Sequence, residues 1–337
     1  MAGTLTTLQP PGAAVPAPPR GPARILQGAG RAAWLAARRL AMLVVLLAVV
    51  FAAVEALPGD TAGATADRGA GAAELAARRA ALGLDRPLAT RFWDWMTGLP
   101  TGDLGTTARG ERVTDVLSGP FPNTLLLGVL ALVLAFSGAL ALGSWSALRP
   151  GGRADRTIDA AATTAFALPE FVVSVALLLL LSQWAGWLPA VTLTGPDGAP
   201  ESWNMLVLPL LALAIPQIGW NTRIVRGALA DQAALPHVKA AVLDGLSRRR
   251  ILTHHMLPGA LPAVAAGLAT SAGMLLGGAV VVETLFNYPG IGAVLAGAIT
   301  DRDTPLVAGV VAATGAAISL LLLLADLVRT TALGERR

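Results

Sequence analysis

Histidines are the side chains of this sequence most able to bind a metal ion or to move a proton. The chain has three of them, His237, His254 and His255, and it has no cysteine. His254 and His255 are adjacent, so on a helix they point in different directions, and no carboxylate or cysteine completes a ligand set. We therefore interpret all three as surface-loop residues and expect no metal or other cofactor in this chain. The absence of cysteine also excludes disulfides and thiolate chemistry.

The residues beside the single lysine, Lys239, show whether the chain could form a nucleotide-binding loop. A phosphate-binding loop of the Walker type requires a glycine before the lysine and a serine or threonine after it. Lys239 instead lies between Val238 and Ala240. The chain therefore cannot supply that ATP site, and we expect it to be no enzyme on its own.

Serine nucleophiles define an alternative from another class, an intramembrane protease. Such an enzyme needs a nucleophile and a base at matching membrane depth. Three serines lie in long apolar stretches, Ser137, Ser174 and Ser271. Every histidine lies in a hydrophilic loop, so the protease is disfavoured and no catalytic residue is predicted. A third class is an uncoupled channel or receptor.

Two glutamates accompany apolar stretches and are candidate contacts of a solute pathway. Glu170 follows Pro169 within one such stretch, and Glu283 ends another. A charge at the centre of a bilayer costs roughly 3 kcal/mol on insertion scales, so Glu170 should face a cavity or be protonated. Glu170 could contact a substrate amine; a structural role facing a pore, or a position nearer the membrane interface, is the simpler interpretation.

The elements that position these residues are predicted to be membrane-spanning helices. Only 14% of the residues are charged and 54% are hydrophobic, whereas about 25% are charged in soluble domains. Segments 116–148, 256–282 and 304–325 contain no ionisable side chain, and each exceeds the roughly 20 residues that a span needs. We therefore predict an all-α integral membrane protein with six spans, at 34–57, 121–148, 159–183, 203–222, 263–282 and 305–327. Pro209 and Pro216 should kink the fourth span.

The remaining segments complete the predicted organisation. Residues 1–33 are rich in Pro, Ala and Gly and are interpreted as a disordered cytosolic extension. Segment 58–120 is too long for a turn; it contains a helix-like stretch at 71–82 and then Phe92, Trp93 and Trp95, which suit the headgroup level. It is either a structured cap or a docking surface for an external partner. The core is 121–328, with a cytosolic loop at 223–262 and a cytosolic tail at 329–337.

Orientation follows from the basic residues. With the N-terminus in the cytosol, the cytosolic segments hold seventeen Lys and Arg, and the two short outer loops hold only Arg302. This asymmetry predicts that both termini of the multi-pass protein are cytosolic. The preference for Arg over Lys, together with much Ala and Gly, indicates a GC-rich bacterial genome and therefore a bacterial cytoplasmic membrane. Because the arginines flank apolar spans, we assign them to the lipid bilayer interface and not to nucleic acid.

The loop between the fourth and fifth predicted spans has the pattern of two short helices. Pro236 suits the first turn of a helix over 236–243, and Gly245 can end it in the left-handed conformation. Ser247 can then cap a second helix over 248–257. The result is a basic helix–glycine–helix unit.

This loop resembles the EAA loop of bacterial ABC importer permeases. The resemblance rests on Ala240-Ala241, Gly245 and the later stretch from His255 to Pro262, and Lys239 replaces the acidic first residue of the family. Other stretches, in order, resemble the dipeptide, oligopeptide and nickel permeases, of the first-permease type that contains Gly-Asp-Leu-Gly: Leu57-Pro58-Gly59-Asp60, Leu82 to Leu88, Gly102 to Thr106, Asn123-Thr124-Leu125, Glu283 to Gly292, and Arg302 to Pro305. The long N-terminal extension and the tail from Thr330 to Arg337 depart from the family pattern.

The resemblance implies a division of labour. This chain would form half of a translocation pore with a second homologous permease, and two cytosolic ATPase subunits would bind ATP and Mg²⁺. An extracytoplasmic solute-binding protein would deliver di- or oligopeptides, or alternatively nickel chelates, metallophores or glutathione-like solutes. The residues expected to couple the ATPase to the pore are Lys239, Ala240, Ala241, Gly245, Arg248, Arg249 and Arg250. Ala241 and Gly245 would allow close approach to the ATPase, and the arginines could pair with acidic groups there.

Overall fold

A computed structural model describes residues 22–66, 70–196 and 198–334. Their regular structure is almost entirely helical. Fourteen α-helices are numbered in chain order: α1 Pro22–Glu55, α2 Thr61–Ala64, α3 Ala72–Ala81, α4 Leu88–Gly98, α5 Val113–Leu117, α6 Pro120–Ala147, α7 Arg153–Ala167, α8 Glu170–Leu177, α9 Val207–Ala233, α10 Pro236–Leu243, α11 Arg248–Arg250, α12 Leu257–Leu285, α13 Ile291–Thr300 and α14 Thr304–Gly334.

Five helical segments of the described chain are long and apolar enough to cross a membrane. They are Ala33–Glu55, Val113–Ala147, Trp203–Ala233, Arg248–Leu285 and Thr304–Leu323. A sixth span exists if the bent pair Arg153–Ala167 and Glu170–Trp184 counts as one. This architecture confirms the predicted membrane fold.

The third predicted span, 159–183, is not one helix. It breaks between α7 and α8, whose axes are bent by 103°. Pro169 lacks an N–H and forces the residue before it out of the helical region; Leu168 accordingly has φ −84° and ψ 126°. π-helical turns then extend α8 from Leu178 to Trp184. The third predicted span is therefore a broken pair of helices and not one continuous helix.

The helices also extend beyond three of the predicted boundaries. Helix α1 already begins at Pro22, so 22–33 are helical and not part of a disordered extension; residues 1–21 lie outside the described ranges. Residues 23–33 include four alanines and two arginines, which are good helix formers. Helix α14 continues through the predicted tail as far as Gly334. The second helix of the cytosolic loop is not separate, because α11 continues through π-helical turns at Ile251–Met256 directly into α12.

The segment between the first two spans packs onto α1 and α14. Its aromatic side chains Phe92 and Trp95, on α4, are buried against Phe51 of α1, and the Phe51 and Phe92 ring centroids lie 5.6 Å apart. Ala308 and Ala312 of α14 complete this cluster. The segment is therefore a folded element attached to the spans. Trp93, which is 59% exposed, is its freely accessible aromatic side chain.

Helix α9 is the central element of the fold, and α6, α7 and α12 pack around it. Its contact with α7 is close because Gly219 faces the backbone of α7. A Cβ atom at Gly219 would lie 2.4 Å from the carbonyl oxygen of Ala162 and 2.9 Å from the amide nitrogen of Phe166. Such a contact cannot be relieved by moving a side chain.

We therefore expect Gly219→Ala to destabilise the fold by about 1–3 kcal/mol, the usual cost of overpacking. Gly227→Ala is the matched control, because Gly227 lies in the same helix and its Cβ would meet nothing within 4 Å. Thermal unfolding in detergent should show a lower midpoint for the Gly219 variant only. Equal midpoints for the two variants would contradict the assigned crossing of α7 and α9.

Candidate coupling site and solute pathway

The predicted helix–glycine–helix unit is present. Helix α10 spans Pro236–Leu243, and Gly245 follows it with φ +72°. The Leu246 amide donates to Ala241 O at 3.2 Å and the Gly245 amide to Val242 O at 3.1 Å, the bond pair of a Schellman motif. Ser247 Oγ accepts from the Arg250 amide at 3.4 Å and caps α11. The turn is thus specified by its own residues.

One face of α10 is buried inside the permease chain itself. Val238 and Ala241 are 3% and 4% exposed and pack against Val225 and Leu229 of α9. The partners on the other side are Ile251 and Met256 from the turns before α12. The interpretation that Ala241 allows a partner to approach is therefore wrong, because Ala241 points inward. Its small size instead lets α10 lie close to α9 and α12.

The opposite face of α10 presents large apolar side chains to solvent. Leu243 is 88% exposed and Val242 is 58% exposed, and both lie beside the exposed residues Lys239 and Ala240. Sequence reasoning missed Leu243. The sequence contains a signal for it: Val238 and Ala241, three residues apart, share one face of α10, and position 243 then lies on the outer face. An isolated apolar tip on a hydrophilic loop suits a partner's pocket.

Arg248, Arg249 and Arg250 are all exposed. None of their guanidinium groups forms an ion pair with another residue that the structure describes. They remain available to an acidic partner, and their pairing with an ATPase stays a prediction. In the same region, His237 Nε2 lies 3.3 Å from the carbonyl oxygen of His255. No group of three His, Cys, Asp or Glu that could hold a metal occurs within the described ranges.

A charged cluster ties α9 to the ends of α6 and α7 on the same side as α10. Arg226 donates to both carboxylate oxygens of Asp155, through Nε at 2.7 Å and Nη2 at 3.1 Å. The Gly151 amide, at 2.8 Å, and Ser146 Oγ donate to the same carboxylate. Asp155 is buried, so these bonds are shielded from water and stronger than surface pairs. A displacement of α10 would therefore reach α7 through α9.

At the end of the helix bundle away from α10, Glu283 of α12 is hydrogen-bonded to two other helices. It is fully buried, and its carboxylate accepts from Thr124 Oγ1 at 2.6 Å and from the Gly292 amide at 2.7 Å. Thr124 Oγ1 in turn accepts from the Ile291 amide at 2.9 Å. A Cβ atom at Gly290 would lie 2.3 Å from the Glu283 carboxyl carbon, so glycine is required there. In this conformation Glu283 joins α12 to α6 and α13; its role in a solute pathway stays a prediction.

Tyr288, in the loop after α12, adds a hydrogen bond to α6 in the same region. Its hydroxyl donates to the carbonyl oxygen of Asn123 at 2.9 Å, and Asn123 Nδ2 donates to the carbonyl oxygens of Pro289 and Gly198. Burial, with the Glu283 charge as a second cause, raises the pKa of Tyr288 to about 12. The hydroxyl therefore stays neutral and keeps its donated hydrogen bond at physiological pH.

Glu170 is different, because it lies at the break between α7 and α8 and has no partner. Its side chain is half-buried beside Gly278 of α12, where a Cβ atom would be 3.1 Å from Oε1. The carboxylate forms no hydrogen bond or ion pair with any residue of the described chain. Discontinuous membrane helices are recurrent places for solute contacts; the role of Glu170 in a solute pathway stays a prediction.

Comparison with known proteins identifies the family. The inner membrane component of binding-protein-dependent transport systems matches residues 139–331, and its N-terminal companion domain matches 33–127. The chain belongs to this permease family. It is thus the permease of an ABC importer, as the loop and span motifs predicted, and it is an integral membrane protein.

Two curated relatives align with most of the permease. The Probable peptide ABC transporter permease protein y4tP of Sinorhizobium fredii is 30% identical over 87% of this chain and 96% of its own length. The glutathione transport system permease protein GsiC of Pectobacterium atrosepticum is 32% identical over 85% of this chain and 91% of its own. The MetNI methionine ABC transporter in inward-facing conformation shares the fold, with a TM-score of 0.54 and 16% identity, over 64% of this chain and 95% of that chain.

Proposed function

We propose that this permease forms half of a pore that imports di- or oligopeptides, with a second homologous permease as the other half. Two cytosolic ATPase subunits bind ATP and Mg²⁺ for the complex, and an extracytoplasmic solute-binding protein delivers the cargo. Both termini lie in the cytosol of a bacterium. The permease itself carries no ATP site, no metal and no cofactor.

The observation that carries this proposal is that α10 exposes apolar side chains at its end while its inner face is packed against the permease. Leu243 and Val242 face solvent, while the inner face of the same helix is fixed to α9 and α12. Because its inner face is fixed, α10 moves together with α9 and α12 when a partner displaces its outer face. The charged cluster at Arg226 then carries the motion to α7, and α7 ends at the break where Glu170 lies.

The cargo is assigned from the relatives and from Glu170. The relatives named above are called peptide and glutathione permeases, and peptides carry a free ammonium group. An unpaired carboxylate at a break between two membrane helices attracts such a cation. Nickel chelates, metallophores and glutathione-like solutes are the alternatives that the same architecture accommodates.

We expect Glu170→Gln to raise the KM for a tripeptide about tenfold, since hydrogen bonds to charged groups contribute about 1.5–3 kcal/mol. The assay is ATP-dependent uptake by the complete complex in proteoliposomes. An N-acetylated tripeptide should show no difference between parent and variant. Glu201→Gln, at an exposed glutamate in the loop before α9, is the control and should change neither substrate.

Two results would count against these assignments separately. If the complete complex takes up no peptide, the peptide cargo is wrong. If free and acetylated tripeptides behave alike in parent and variant, Glu170 is not a contact of the ammonium group. The permease without its ATPases should hydrolyse no ATP.

A further inference from the structure

A groove of about 420 Å³ runs between α6, α7 and α9. Its walls are mainly aliphatic, and they include Leu142, Ile158, Ala161, Ala165, Ile215 and Ile218. This volume falls within the range of small-molecule sites, about 300–1,000 Å³. None of these residues lies on α10 or in the run Arg248–Arg250, and Glu170 does not line the groove.

One end of the groove is polar. Thr157 and Thr222 line it there, and Thr222 Oγ1 is buried without a hydrogen-bond partner in the described part of the chain. Residues four apart share one face of a helix. Arg153 precedes Thr157 by four residues on α7, and Arg223 follows Gly219, another lining residue, by four on α9. The two arginines therefore continue the groove walls beyond the polar end.

Both arginines are exposed, and neither forms an ion pair within the described ranges. The acidic side chains of α7 do not neutralise them, because Asp155 and Asp159 are bound to Arg226. The groove thus joins an aliphatic floor to two unpaired positive charges. Among membrane components, this combination matches a molecule with an acyl chain and an anionic head.

Neighbouring residues on α6 indicate that the groove meets the bilayer with its polar end at headgroup level. Leu142, in the groove wall, is 39% exposed, and Trp145, one turn further along α6, is 54% exposed. The Arg149 guanidinium lies 5.1 Å from the centre of the Trp145 ring. Exposed tryptophan beside arginine is typical of the membrane–water interface.

We propose that the groove between α6, α7 and α9 is a binding site for an anionic phospholipid, with its phosphate held by Arg153 and Arg223 and an acyl chain on the aliphatic floor. Guanidinium groups bind phosphate through two parallel hydrogen bonds. Basic pockets between membrane helices select anionic headgroups over zwitterionic ones. The site lies apart from the solute pathway and goes beyond the proposed transport function.

The test uses the assembled transporter, purified from bilayers of equal phosphatidylglycerol and phosphatidylcholine, with retained lipid counted by native mass spectrometry. The parent should retain phosphatidylglycerol preferentially. The double variant Arg153→Gln/Arg223→Gln should lose that preference about tenfold or more, because each basic residue contributes about 1 kcal/mol near an anionic surface. The control Arg112→Gln/Arg156→Gln removes the same charge from two exposed positions that do not line the groove, and it should retain the lipid.

A second variant separates the acyl chain from the headgroup. Ala161→Phe keeps both arginines but fills the groove, so it should also lose phosphatidylglycerol. Soluble glycerol phosphate should stabilise neither the parent nor this variant in a thermal unfolding assay.

Four outcomes overturn the proposal. The first is equal retention of the two lipids by the parent. The second is retention by the double arginine variant as strong as in the parent. The third is stabilisation by glycerol phosphate that Ala161→Phe leaves intact, which would reveal a site for free phosphate. A groove that is empty of lipid in the assembled complex and cross-links to the second permease overturns it as well.

Discussion

Replacing Leu243 with aspartate is expected to release the ATPase from the permease. Leu243 is the most exposed large apolar side chain of α10, at 88%, and we propose that it enters an apolar pocket of the ATPase. Loss of a central apolar anchor costs about 2 kcal/mol or more, and an unpaired charge in the same pocket adds to that cost. Affinity for the ATPase should therefore fall at least about thirtyfold, and transport should be lost.

The fold should survive this change, because Leu243 contributes to none of the buried clusters of the described chain. The measurement is co-purification of the ATPase together with the thermal midpoint of the permease. Leu193→Asp is the matched control: Leu193 is 52% exposed in the loop between α8 and α9, at the end of α9 away from α10. That variant should assemble normally. If Leu243→Asp assembles and transports like the parent, α10 is not the docking element.

The unit around α10 could be predicted from sequence because each of its features is local. Pro236 fixes the first turn, Gly245 supplies a left-handed residue and Ser247 caps the next turn, and all three rules act within about five residues. The structure reproduces the predicted limits Pro236–Leu243. The direction in which Ala241 points was not predicted, because it depends on α9 and on the turns before α12, which sequence spacing does not place.

The features that the sequence did not predict depend on distant contacts or on angles. Thr124 and Glu283 are 159 residues apart and meet only when α6 and α12 pack together. Pro169 lies within the third predicted span, but the sequence does not predict a bend of 103° there, because the angle is set by the packing of α8 against α9 and α12. Likewise, Glu170 could be recognised as costly in a membrane, whereas its lack of a partner could not.

Replacing Gly245 with leucine is expected to abolish transport while leaving the spans inserted. Gly245 has φ +72°, and a side chain in this conformation is strained by roughly 1–2 kcal/mol. The strain opposes the two bonds that end α10, from the Leu246 and Gly245 amides. Nothing lies within 4 Å of a Cβ at Gly245, so the chain itself accommodates the bulk. The new side chain instead projects towards the space that we assign to the ATPase.

Gly151→Leu is a closely matched control for this prediction. Gly151 has φ +74°, and its Cβ would also meet nothing within 4 Å, so the backbone strain and the free space are the same. Gly151 lies in the basic loop between α6 and α7 and not in α10, and its amide, which donates to Asp155, is a backbone group that the substitution keeps. Both variants should unfold at similar temperatures, and the external binding protein should still dock on both. Only the Gly245 variant should assemble poorly with the ATPase, or hydrolyse ATP without a response to solute. If it transports like the parent, the loop is only a connector and the coupling assignment is wrong, although membership of the permease family is unaffected.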